Sequence, residues 1–358
     1  MALLEVKDLR VGFKTDDGFV GAVNGLSYSV ESGATLGIVG ESGSGKSVNA
    51  LSIMRLIPMP PGRIDGGSVT LRGENLLAKS EREMRKIRGK DIAMIFQDPM
   101  TSLNPVLTVG DQISEAVQLH LRLGKRDALT KTIDMLRLVH IPLPEKRVRE
   151  YPHQLSGGMR QRIMIAMALS CDPDVLIADE PTTALDVTIQ AQIIALMNEM
   201  QQRLGSAIVL ITHDLGVVAE TCKYVLVMYA GNLVEYGTAE QIFGAPKHPY
   251  TMGLLESLPR LDEREHTRLV PIEGQPPNLL RLPTGCSFAP RCKYRMPICD
   301  TPTPLYDFGA GHIARCFLYD DRTEGERRLP AQTAPAIVGT ATSANAVAAA
   351  GDSAPVAP

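Results

Sequence analysis

The stretch Gly40-Glu41-Ser42-Gly43-Ser44-Gly45-Lys46-Ser47 decides how the rest of the chain reads. It follows the apolar run Thr35-Leu36-Gly37-Ile38-Val39, a strand pattern, and opens a helical pattern at about Ser47. The spacing G-x-x-x-x-G-K-[ST] is that of a phosphate-cradling loop. Its glycines let successive backbone N–H groups converge on phosphate oxygens where a Cβ would obstruct them. The helix N-terminus adds free donors and the positive end of a dipole. Lys46 is expected to reach the β- and γ-phosphates of a nucleotide, and Ser47 to set its hydroxyl on Mg²⁺. A plain glycine-rich turn before Lys-Ser has the same composition, but the strand before it and the helix after it favour the phosphate site. Gly40, Ser42, Gly43, Ser44, Gly45, Lys46 and Ser47 are therefore candidate nucleotide ligands. The loop names no activity by itself, since kinases, GTPases, helicases and recombinases share it.

A second feature lies downstream. Val175-Leu176-Ile177-Ala178-Asp179-Glu180 is an apolar strand ending in two carboxylates. The carboxyl ends of buried parallel strands face the crevice where α/β proteins hold nucleotides. Asp179 is placed to hold Mg²⁺ and Glu180 to polarise an attacking water, and phosphoryl transfer needs such positioning more than covalent chemistry. An acidic pair capping Pro181-Thr182-Thr183 is the plainer alternative. His213 follows the apolar run Ala207–Ile211 after one Thr, so it too stands at a strand's carboxyl end. It is a candidate γ-phosphate contact, or else a structural histidine.

Outward from these motifs, Val175–Ala178, Ala207–Ile211 and Tyr224–Met228 read as buried strands, and 159–170 and 188–204 as helices between them. Leu3–Val6 and Leu26–Val30 read as short strands, and 47–57, 80–88 and 108–170 as helical. The alternation predicts an α/β fold with helices on the faces of the sheet. Pro and charged residues rise after about 240, placing a boundary near 245. From about Leu329 the chain is Ala, Pro, Thr and Ser with almost no charge, which predicts a disordered tail over 329–358.

Composition narrows the function classes. The 358 residues carry a net charge of -3 and 4% aromatics with no Trp. Neither a basic nucleic-acid footprint nor an aromatic stacking platform is present, so no nucleic-acid partner is expected. No run approaches the roughly 18 apolar residues of a membrane span. Met1–Arg10 lacks the basic and apolar regions of a secretory signal, so a cytosolic location is expected.

Leu155-Ser156-Gly157-Gly158-Met159-Arg160-Gln161-Arg162 resembles the signature motif of ABC ATPases, and it stands before the acidic strand as in that family. Ser156, Gly157 and Gly158 at a helix start make an anion site suited to a γ-phosphate held by another subunit. The family pattern usually has Gln where this chain has Met159; the Ser-Gly-Gly core is intact. By the same resemblance Gln97 is the Q-loop glutamine that touches Mg²⁺ and senses the membrane subunit. Ala184-Leu185-Asp186 is the D-loop, and Phe13 is the adenine-stacking aromatic, with Phe19 nearby. Phe96-Gln97-Asp98-Pro99-Met100-Thr101-Ser102-Leu103-Asn104-Pro105 resembles the dipeptide and oligopeptide importer ATPases. So do His248-Pro249-Tyr250-Thr251 with Leu254-Leu255, and the segment from Pro271 to Cys292.

The resemblance covers about residues 3–320 and implies an ABC ATPase domain over 1–245. That domain has an N-terminal antiparallel β region and a helical subdomain at about 98–165. A small extension follows over 246–328. It implies ATP hydrolysis catalysed by Glu180, His213 and Gln97, with Ser47, Gln97 and Asp179 about Mg²⁺. The implied partners are a second ATPase subunit, usually a paralogue, two transmembrane permease subunits and an external substrate-binding protein. The place implied is the cytoplasmic face of the inner membrane. Di- or oligopeptide uptake is the substrate class implied; nickel, opine and other importers use similar subunits. Repair and chromosome ABC ATPases insert long coiled coils between phosphate loop and signature, whereas the interval from Ser47 to Leu155 has no sustained heptads.

Cys286, Cys292, Cys299 and Cys316 cluster with the spacing C-x5-C-x6-C-x16-C, while Cys171 and Cys222 sit alone in or beside apolar segments. Thiolate ligation of a 4Fe–4S cluster by the four is the favoured expectation, in keeping with importer ATPases of this type. A zinc site is a second reading, although C-x2-C knuckles are missing, and no metal is a third. His312 is a minor candidate ligand. Arg291, Lys293, Arg295 and Arg315 lie beside the cysteines and are expected to offset thiolate charge.

Overall fold

The computed structural model describes residues 2–97, 102–183, 186–257 and 271–323. The predicted tail over 329–358, positions 98–101 of the Q-loop run and Ala184-Leu185 of the D-loop run lie outside the described residues.

Two sheets face each other. In the first, β1 (Ala2–Thr15) and β2 (Gly18–Glu31) form a long antiparallel hairpin. β4 (Gly62–Leu71) pairs with the other edge of β1, and β5 (Glu74–Asn75) follows it. The second sheet has a parallel centre of β3 (Thr35–Val39), β6 (Ile92–Ile95), β7 (Val175–Asp179), β8 (Ala207–Ile211) and β9 (Tyr224–Tyr229). Three antiparallel strands continue it: β10 (Asn232–Thr238), β11 (Tyr306–Asp307) and β12 (Ile313–Ala314). The order is β11-β12-β10-β9-β3-β8-β7-β6.

The central strands are apolar on both faces because both faces are covered. Along β7, Val175 and Ile177 enter the core between the two sheets, while Leu176 and Ala178 enter the core beneath the helices. β8 divides in the same way, with Val209 and Ile211 on one side and Ile208 and Leu210 on the other. This is the period-2 geometry of a strand. Truncating fully buried Ile177 to Ala would cost about 2–5 kcal/mol.

The helices are α1 (Lys46–Ile53), α2 (Glu81–Ile87), α3 (Val109–Leu121), α4 (Lys125–Leu138), α5 (Pro144–Arg147) and α6 (Gly157–Leu169). After them come α7 (Val187–Leu204), α8 (Leu215–Thr221), α9 (Ala239–Gly244) and α10 (Pro249–Glu256). The helical reading over 108–170 divides into α3 to α6. α3 and α4 bury Ile113, Val117 and Leu136 in the core that also takes Ile163 and Ile165 of α6. Among the described residues no helix is long and apolar enough to cross a membrane.

Residues after α9 fold back onto the sheet. Glu235 on β10 is fully buried and accepts hydrogen bonds from the N–H groups of Lys247 (2.7 Å) and His248 (2.9 Å). It also lies 2.8 Å from Nε2 of His312, just before β12. His248 in turn caps α10, its Nδ1 accepting from the N–H of Tyr250 at 3.1 Å.

Candidate nucleotide site

The loop from Gly40 to Gly45 leaves the carboxyl end of β3 and enters α1. Two glycines are fixed by space. A Cβ on Gly40 would stand 2.2 Å from the carbonyl oxygen of Met228, and one on Gly45 2.2 Å from that of Ala22. Both also have positive φ, +152° and +98°, which L side chains avoid. The backbone therefore passes close against β9 and β2.

Lys46 folds into this loop. Its Nζ donates to the carbonyls of Gly40 at 2.7 Å and Glu41 at 2.9 Å, and lies 3.4 Å from Ser44 Oγ. Burial pulls its pKa below the usual lysine value, against the raising effect of Glu180, Asp179 and Glu41. Ser47 Oγ donates to Asp179 Oδ1 at 3.1 Å. Burial raises the Asp179 pKa, the Ser47 bond opposes it, and the Glu180 charge adds to it. A divalent cation here would relieve that desolvation, so the donor set of a hydroxyl and a carboxylate fits Mg²⁺.

Glu180 follows β7 with φ +48°, and its N–H donates to Ile211 of β8 at 2.8 Å. A glutamate held in the left-handed region costs on the order of 1–3 kcal/mol, and such strain concentrates at functional sites. Its carboxylate collects three neighbours. Gln97 Nε2 donates to Oε2 at 3.0 Å, Thr183 Oγ1 donates to the same oxygen at 2.9 Å, and His213 Nδ1 stands 3.6 Å from Oε1. The His213 side chain is largely exposed, free to meet a ligand.

The strand ends thus bring Lys46, Ser47, Gln97, Asp179, Glu180 and His213 together. The signature residues are placed differently. Ser156 caps α6, accepting from the Met159 N–H at 3.3 Å, and the space about Gly157 is open. Asp186 caps α7 through the Ile189 N–H at 2.9 Å. Among the described residues no hydrogen bond joins these groups to the Lys46 cluster. Phe13 is half-buried on β1 and packs against the core between the sheets, whereas Phe19 on β2 is exposed, with the Arg63 guanidinium 5.4 Å from its ring centre.

Two contributors carry no separate signal in the sequence. Thr183 reads there as part of a plain turn. Gln161, fully buried on α6, donates through Nε2 to the Pro181 carbonyl and so ties the signature helix to the turn after Glu180. Its position four residues after Gly157, one helical turn on, is the one local clue.

The cysteine reading is corrected. Among the described residues no group of three or more His, Cys, Asp or Glu side chains is arranged to hold a metal ion. Cys286, Cys292, Cys299 and Cys316 instead join a small cluster with Ala289, Met296, Phe317 and Leu318, and no 4Fe–4S cofactor is supported. Burial raises the thiol pKa values of Cys286, Cys316 and Cys292, the last to about 11. The neighbouring cations are engaged elsewhere: Arg291 pairs with Glu41, Lys293 with Glu256, and Arg295 with Asp300. Arg315 donates to the carbonyls of Leu233 and Thr303. Packing and backbone bonds such as Cys286 N–H to Cys299 O at 2.8 Å organise the segment. His312 is bonded to Glu235.

Known proteins resemble this chain in two blocks. Residues 23–183 match the family model described as ABC transporter, and residues 234–299 match that described as Oligopeptide/dipeptide transporter, C-terminal region. The chain is 55% identical over 316 residues to the Oligopeptide transport ATP-binding protein OppD of Escherichia coli (strain K12), covering 88% of this chain and 93% of that protein. It is 53% identical over 323 residues to the Dipeptide transport ATP-binding protein DppD of Bacillus subtilis (strain 168), covering 90% and 96%. Among solved structures, the ATP-binding cassette MJ0796 in a dimeric post-hydrolysis state bound to ADP and Pi has a TM-score of 0.60 and 25% identity, covering 66% of this chain and 98% of that chain. CbiO1 from Clostridium perfringens, described as part of an ABC transporter complex, has a TM-score of 0.57 and 27% identity, covering 68% and 90%.

Proposed function

The chain belongs to the ABC transporter family, among its oligopeptide and dipeptide ATP-binding subunits, and we propose that it hydrolyses Mg²⁺-ATP to power uptake of di- and oligopeptides through separate membrane subunits. The observation that carries the catalytic part is the convergence of Gln97, Thr183 and His213 on Glu180, beside Asp179 and Ser47.

The loop N–H groups and Lys46 receive the phosphates, Lys46 exchanging its bonds to the Gly40 and Glu41 carbonyls for phosphate oxygens. Ser47 and Asp179 are the residues that would hold Mg²⁺, with Gln97 beside them; the ion would neutralise charge on the β- and γ-phosphate oxygens. Glu180 accepts a proton from the water that attacks the γ-phosphorus, breaking its bond to the bridging oxygen and giving ADP and phosphate. Gln97 and Thr183 hold one carboxylate oxygen and leave the other toward His213, which orients the water.

Among the described residues Ser156, Gly157 and Gly158 make no hydrogen bond to their own subunit's Lys46 cluster. They support a reading in which one subunit's signature closes over the nucleotide of another, a paralogue. Asp186 would lie near that boundary. Two permease subunits and an external binding protein complete the importer at the cytoplasmic face of the inner membrane, with no nucleic-acid partner. Phe13 is the proposed adenine-stacking ring. The ATPase domain would span 1–245 and the extension 246–328.

The test is peptide uptake by vesicles carrying the permeases and this chain with its partner ATPase, supplied with the binding protein. ATP-dependent accumulation of a labelled oligopeptide, lost when this chain is omitted, supports the proposal. Uptake that persists without the chain contradicts it.

A further inference from the structure

Glu41 is the carboxylate inside the phosphate loop, and its partner comes from the far end of the chain. Arg291 Nη1 donates to Glu41 Oε2 at 2.6 Å and Nη2 to Oε1 at 3.0 Å, across 250 positions. The Arg291 side chain is only 5% exposed and that of Glu41 25%. The rest of the guanidinium is bonded too: Nε donates to the Glu273 carbonyl at 2.9 Å, Nη2 to that of Ile272 at 3.2 Å, and Nη1 to the Tyr229 hydroxyl at 3.3 Å. A second contact reaches the same loop residue. The Glu41 N–H donates to the hydroxyl of Tyr250, a fully buried ring on α10. Arg291 and Tyr250 stand in the region after β10 that folds back over the sheet.

A carboxylate in a loop that receives a polyanion weakens binding unless its charge is met. A buried bidentate fork meets it and also fixes where it points, which a lysine cannot do equally well. We propose that Arg291 is a positioning residue of the nucleotide site: it neutralises Glu41 and, with Tyr250, holds the phosphate loop ready for ATP. The C-terminal extension thereby sets nucleotide affinity. Disturbing the turn at Ala289–Arg291 would weaken ATP binding without touching Glu180.

A tether that merely docks the extension gives a different result, and charge removal separates the two. The experiment is titration of the purified chain with Mg²⁺-ATP and, in the assembled transporter, KM and kcat for ATP. Arg291→Met is expected to raise Kd and KM by at least about tenfold, the scale of one charge-assisted contact, with kcat within about threefold. Adding Glu41→Gln removes the unmet charge and is expected to restore KM to within about threefold of the parent. An unchanged KM in Arg291→Met, or a double variant as weak as the single, overturns the proposal. Should Arg291→Met fail to fold, Arg291→Gln measured with and without Glu41→Gln decides: a raised KM that the second change restores supports it, and a parental KM in the single variant or no restoration in the double overturns it. The inference rests on the ATPase reading. A parent chain that binds no ATP overturns both, whereas a binding parent with unmoved variants overturns this inference alone.

Discussion

Gln97 and Glu180 stand 83 positions apart and share a hydrogen bond of 3.0 Å from Nε2 to Oε2. The bond joins residues just past the ends of two neighbouring parallel strands, β6 and β7, whose pairing brings those ends side by side. One oxygen of Glu180 is thereby occupied and the other directed toward His213. Gln97→Ala is expected to lower kcat about tenfold through loss of that orientation, while ATP affinity stays within about threefold. Single-turnover hydrolysis measured beside equilibrium binding checks both; an unchanged kcat would remove Gln97 from the site.

Lys46 is the residue proposed to act on binding. Its ammonium is already largely desolvated and held inside the loop by the carbonyls of Gly40 and Glu41. Lys46→Ala should weaken Mg²⁺-ATP binding at least about tenfold, since charge-assisted bonds contribute about 1.5–3 kcal/mol each. Calorimetric titration showing parental affinity would contradict the assignment.

Much of the centre of the fold was legible because it is buried on both faces. Thr35–Val39 and Ala207–Ile211 read as strands with the same bounds that they have in the structure, since continuous apolar runs are how doubly covered strands look. β4 was not legible. Gly62, Gly66 and Gly67 and alternating exposed side chains give Gly62–Leu71 a weak pattern, and its pairing with β1 is a tertiary fact. The phosphate loop and the Asp179-Glu180 strand end were visible because their spacing is local. The Arg291–Glu41 pair was not, for no local pattern joins residues 250 apart. Proximity of cysteines in sequence also said nothing of their surroundings, which Met296, Phe317 and Leu318 make apolar.

His248 gives a pH dependence. Burial first, and the Arg315 charge second, lower its pKa from 6.5 to about 3 in the folded chain. The unfolded chain takes up a proton near 6.5 that the folded chain refuses, so stability falls as pH drops below about 6.5. The slope is about 1.4 kcal/mol per pH unit between those values. His248→Asn keeps an acceptor for the Tyr250 N–H and removes the titration. Urea unfolding at pH 6.5 and 5.5 should show the parent losing about 1 kcal/mol more than the variant; equal losses would exclude His248 as the cause.

Assembly is testable at the signature helix. Ser42 is exposed on the phosphate loop, and a Cβ at Gly157 meets open space, so cysteines fit at both. Ser42→Cys in one subunit and Gly157→Cys in the other should cross-link when ATP is present and not when it is absent. Nucleotide-independent cross-linking, or none, would argue against a shared nucleotide.

The most direct measurement is ATP turnover by the assembled transporter with Glu180→Gln, alongside ATP binding by the same variant. The substitution keeps the shape of the side chain and removes the charge proposed to polarise water. Turnover should fall by at least about 10²-fold, the scale of a lost general base, while ATP binds with parental affinity. Hydrolysis at the parental rate would contradict the assignment of Glu180, and with it the mechanism built on its neighbours.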